Sequence, residues 1–75
     1  MRTEEQVLED FKKLNYDIIE NDYCELRLNN IGCIILIHKY EKNYQSYWEN
    51  SDIPSIIDIE EHKLLHELFT IWGWL

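Results

Sequence analysis

The chain has 75 residues, with 15 Asp+Glu against 7 Lys+Arg, a formal net charge of −8 and a pI near 4.6. That length fits one small domain with a thin core and does not fit a multidomain enzyme. An apolar content of 45% excludes a disordered acidic tail, the negative charge disfavours direct binding to duplex nucleic acid, and no apolar run approaches the ~18–20 residues of a membrane span.

The opening Thr3-Glu4-Glu5-Gln6 reads as a capping box, with Thr3 as N-cap and Gln6 reaching back. Val7, Leu8, Phe11 and Leu14 follow at helical spacing. Acids fill the N-terminal half and Lys12 and Lys13 close the other end, as the helix dipole favours. A helix over 3–14 is expected, with Asn15 in the left-handed position after it.

Residues 16–20 form a first strand, Asn21-Asp22 a turn, and 23–29 a second strand with Cys24, Leu26 and Leu28 on one face. A connection at 21–23 sets Ile18 opposite Leu26 and Tyr16 opposite Leu28. The next turn, 29–32, holds Asn30 and Gly32, both tolerant of positive φ. The run Cys33–Ile37 is apolar on both faces and reads as a central strand covered on more than one side.

Residues 44–48 form a further strand or an ordered loop, and 55–57 a brief edge strand after Pro54. Asp58 caps a last helix, with Glu61 three residues on. Gly73 takes the position after the helix, and Trp74 folds back onto it. The fold class is α+β: helix, three- to four-stranded antiparallel sheet, helix, forming a two-layer sandwich with both helices on one sheet face.

Candidate chemistry is sparse. His62 and His66 stand at helical i, i+4 spacing that can chelate zinc, yet Cys24 and Cys33 lie nine residues apart and do not make a close ligand pair. The same separation puts the two thiols beyond disulfide reach across a hairpin, so both are expected as buried, reduced groups. The start, Met1-Arg2-Thr3-Glu4-Glu5, lacks the layout of a signal peptide, which points to the cytoplasm. With two glycines, no phosphate-binding loop and no nucleophile motif, neither an enzyme nor a cofactor is expected.

The charge is divided unevenly: residues 1–25 carry net −5, 26–48 net +2 and 49–75 net −5. Glu4, Glu5, Glu9 and Asp10 on the first helix, with Asp22 and Glu25 on the first hairpin, form an acidic side suited to a protein partner with a basic surface. Tyr44, Tyr47 and Trp48, flanked by Glu49 and Asp52, supply the residue types that anchor interfaces. The alternative assigns these aromatics to the core and leaves the chain a homodimerising module, or a weak His/Cys metal binder.

The segment Glu60-Glu61-His62-Lys63-Leu64-Leu65-His66-Glu67-Leu68-Phe69-Thr70-Ile71-Trp72-Gly73-Trp74-Leu75 resembles the ending of small uncharacterised proteins from phages and prophages of low-GC Gram-positive bacteria. The opening, from Thr3-Glu4-Glu5-Gln6-Val7-Leu8 through Phe11 and Leu14-Asn15-Tyr16, is similar to theirs. In size, charge and element order the chain also resembles acidic anti-CRISPR proteins, some of which mimic the nucleic acid that a guided nuclease reads. Those likenesses imply a phage accessory protein that acts by protein–protein binding, as an inhibitor or DNA mimic of a host defence or nucleic-acid-handling enzyme.

Overall fold

The computed structural model describes residues 2–51 and 53–75; the acidic flank expected at Asp52 lies outside them. The elements run α1 (Glu4–Lys13), β1 (Asp17–Asn21), β2 (Glu25–Asn30), β3 (Cys33–His38), β4 (Asn43–Trp48) and α2 (Ile59–Ile71). The four strands form an antiparallel meander in chain order.

Helix α1 begins as its sequence predicts. Gln6 N–H donates to Thr3 Oγ1 at 3.3 Å, and Thr3 N–H donates to Gln6 Oε1 at 2.9 Å, so two otherwise orphaned donors are satisfied. At the other end Asn15 has φ 71°. Its N–H reaches Lys12 O and the Tyr16 N–H reaches Phe11 O. The Tyr16 ring then meets Phe11 edge-on at 5.6 Å.

Helix α2 ends by the same device. Gly73 has φ 77°, its N–H bonds Thr70 O, and the Trp74 N–H bonds Phe69 O. Trp74 stacks on Phe69 at 4.8 Å. Both helices thus close with paired C-terminal hydrogen bonds and an aromatic contact across them. The start of α2 differs from expectation. Asp58 has the extended backbone of an N-cap, but its side chain makes no capping hydrogen bond.

One core cluster joins Leu26, Leu28, Ile35 and Ile37, which share a sheet face, to Val7, Leu8 and Phe11 of α1 and Leu64, Leu65 and Leu68 of α2. Alternation along β2 and β3 explains the selection, since Leu26 pairs with Ile37 and Leu28 with Ile35. Strand β3 is buried on both faces, as its continuous apolar run implies: Ile34 and Leu36, which point away from the core, are also buried. Their cross-strand neighbours on that second face are Arg27, Asn29, Gln45 and Tyr47.

Four expectations are corrected. Ile18 pairs with Leu28 instead of Leu26, because the hairpin closes later than expected, pairing Asn21 with Leu26, and an irregularity between Ile18 and Glu20 takes back only one residue at Ile19. Strand β2 starts at Glu25, so Tyr23 and Cys24 belong to the turn, and Cys24 is exposed instead of buried. The β2–β3 loop is two residues long, and its positive φ angles fall on Ile31 (48°) and Gly32 (87°), not on Asn30. Residues 55–57 do not form a strand. Only Pro54 bridges to Tyr47, with Trp48 N–H to Ile53 O and Ser55 N–H to Ser46 O at 3.2 Å each, so this stretch straps part of the β4 edge.

Candidate functional site

The meander places the β1–β2 turn (22–24) and the β3–β4 turn (39–42) at the same end of the sheet, and the β2–β3 turn at the other. The two adjacent turns are tied together by Lys39. Its N–H donates to Cys24 O at 2.8 Å. Its ammonium donates to Asn21 Oδ1 at 3.0 Å and Asp22 O at 2.6 Å, and lies 5.2 Å from the Trp72 ring centroid. Asp22 shapes its own turn: Oδ1 accepts from the backbone N–H groups of Cys24 and Glu25 at 2.8 Å each. Those hydrogen bonds hold the Asp22 carboxyl below its ordinary pKa.

Glu20 and Glu25 project from the sheet face opposite the core, either side of Arg27, whose guanidinium lies 3.7 Å from Glu25. The Glu20 carboxyl is pushed above the ordinary carboxylate range, first by neighbouring Glu25, then by loss of water and by Asp22. Three carboxylates therefore crowd one sheet end with incomplete neutralisation. Beside them Tyr23 and Tyr40, one from each turn, are 79% and 72% exposed and meet edge-to-face at 6.4 Å. Exposed, mutually supported tyrosines next to crowded like charges form a polar rim with amphipathic anchors.

The acids expected along α1 do not all face outward for a partner. Glu4 accepts from Trp72 Nε1 at 2.6 Å. Asp10 is bridged by Arg2, which also donates from Nε to Glu67 at 3.1 Å, and this guanidinium holds the Asp10 carboxyl low. Glu9 pairs with Lys12 at 3.1 Å. Glu5 alone of the four enters no ion pair or side-chain hydrogen bond among the described residues.

The aromatic trio is also divided. Tyr44 and Trp48 leave β4 on the core side, where Tyr44 lies 5.5 Å from Phe69, while Tyr47 leaves on the opposite face. Tyr44 and Tyr47 both reach a cleft of about 740 Å³ along the outer edge of β4, bordered by Ser46, Ser51 and Ser55. No ionised side chain lines that cleft, so charge does not recruit a partner there. Glu25 lies level with Asn43, two strands away, so Asp22 and Glu25 sit at the other end of the sheet from Tyr47 and Trp48, and the structure does not gather the nine expected residues into one surface.

Among the described residues no three His, Cys, Asp or Glu side chains converge as a metal site, and His62 and His66 are exposed on α2. Cys33 is half-buried, with its thiol donating to Ser55 Oγ at 3.2 Å. No helix of the described residues is long and apolar enough to cross a membrane. No family model matches the chain, nor does any curated protein or solved structure.

Tyr23 and Tyr40 were not legible as a pair from local pattern. The usable signal was topological: in a meander, alternate turns share an end, so tyrosines in the first and third turns become neighbours.

Proposed function

We propose that this chain acts by binding a protein partner with a basic surface, and that the sheet end bearing both the 22–24 and 39–42 turns is the contact face. The observation that carries the reading is the exposed, edge-to-face Tyr23–Tyr40 pair at the sheet end that also holds Glu20, Asp22 and Glu25. A cationic partner would relieve the carboxylate repulsion, and the tyrosines would supply burial that slows dissociation. The net charge of −8 speeds encounter with such a partner. In a phage or prophage setting, the partner class with a ready cationic groove is a host nucleic-acid-handling or defence enzyme, which carboxylates on a rigid hairpin occupy in place of phosphates.

The test is affinity capture from a Gram-positive host lysate, with bait variants and added duplex DNA. The native chain should retain a partner that DNA releases. Glu20→Lys with Glu25→Lys, or Tyr40→Ala alone, should lose it, while Glu5→Lys keeps it. Equal capture by all baits would remove the proposed face.

A further inference from the structure

The opposite end of the sheet carries a second feature, independent of the acidic tyrosine face. Ile31 sits at the tip of the β2–β3 loop with φ 48°, a left-handed backbone that a β-branched side chain adopts only under strain. It is also 91% exposed. An Asn at this position would relieve the strain. The Ile therefore strains the loop and gains no burial in return, and it does not stand alone. Ile56 is 87% exposed and Trp48 46%, and with Pro54 these residues line a groove of about 500 Å³.

The groove has one ionised wall. Glu61, from the first turn of α2, lines it and enters no ion pair among the described residues. Its carboxylate lies beside the Tyr16 hydroxyl, which burial and that charge keep protonated. Trp48 offers a ring face of the kind that receives a cation. An apolar cleft with an indole and a carboxylate that no cation of the described residues neutralises is complementary to an aliphatic side chain next to a lysine or arginine.

A second copy of the chain is the poorer match. Each copy carries −8, and the groove itself presents an ionised Glu61 and no cation. We infer that the groove between the Ile31 tip and the 54–56 strap docks an apolar, cationic segment of another protein, with Glu61 as its charge anchor.

The probe is a synthetic Leu-Arg-Leu-Arg-Leu peptide, titrated into the full isotopically labelled chain and followed by amide chemical shifts. Controls replace Arg by Glu, or Leu by Ser. The Leu–Arg peptide should move the amides of Ile31, Gly32, Trp48 and Ile56, and both controls should leave them still. Glu61→Gln and Ile56→Ser should each weaken binding by about five-fold or more, the scale of one lost ion pair or apolar anchor. Both positions are outside the buried core, and urea midpoints close to the native value show that the variants fold. Equal shifts with the Glu peptide, or shifts confined to residues 20–25, would overturn the proposal. So would light scattering that shows a dimer dispersed by Ile56→Ser, since the second copy would then be the occupant.

Discussion

Trp72 Nε1 donates a 2.6 Å hydrogen bond to the Glu4 carboxylate, joining the C-terminal cap of α2 to the first turn of α1 across 68 residues of sequence. Arg2 reinforces the same junction by reaching both Asp10 and Glu67. Glu4→Ala leaves a part-buried indole N–H without its charged acceptor, so it should lower stability by roughly 1–2 kcal/mol in urea denaturation. Glu5→Ala, one residue away and without such a partner, should be near neutral.

The Glu20–Glu25 contact sets an opposite expectation. A carboxyl whose folded pKa is raised binds protons more readily in the folded chain, so its contribution to stability falls as pH rises through that pKa. Glu20→Gln should therefore raise the melting temperature at pH 7. The advantage should vanish as the native Glu20 protonates in acid. Melting curves across pH 3–8 check both halves of this expectation.

Asp22 runs the other way. Its folded pKa is lowered by the Cys24 and Glu25 N–H groups, so its stabilisation is present above the unfolded pKa of about 3.9 and is lost as pH falls through the folded value. Asp22→Ala should lower the melting temperature at pH 7, and the deficit should shrink toward pH 2. A deficit that stays constant with pH would mean that the side chain holds the turn by something other than its charge.

Ile31→Asn should stabilise the chain by about 1 kcal/mol, because Asn occupies the left-handed region at lower cost. Ile31→Val, which keeps the branched Cβ, should gain nothing. The comparison separates backbone strain from side-chain exposure.

The α1 capping box, the two helix C-terminal turns and the double-sided burial of β3 were legible because each rests on residues close in the chain. Thr3 and Gln6 cap each other, and Gly73 and Trp74 act on the turn before them. The β1 register was not legible, since it depends on where the turn closes, with Asn21 opposite Leu26, and on a residue accommodated at Ile19, neither of which leaves a mark in the apolar pattern. Asn30 was the better local candidate for positive φ, but a two-residue hairpin loop imposes that backbone on its central residues whatever they are, and the frame set by β2 and β3 put Ile31 there. Of the candidate site, the acidity of the first hairpin was readable. The internal use of Glu4 and Asp10 was not, because Trp72 and Arg2 find them through the tertiary fold.

The meander pairs every strand only with its chain neighbour, so each hairpin closes a short loop. Docking of α1 with α2 is the one closure that spans nearly the whole chain, the longest-range contact of the fold. In kinetic terms the hairpins can be in place at the transition state before the helices meet. Loosening the Glu4–Trp72 clasp should then accelerate unfolding and leave refolding nearly unchanged, a split that a chevron plot of Glu4→Ala resolves. Opened at that clasp, the chain would expose one face of an assembled sheet, making the helix junction the latch on its kinetic lifetime.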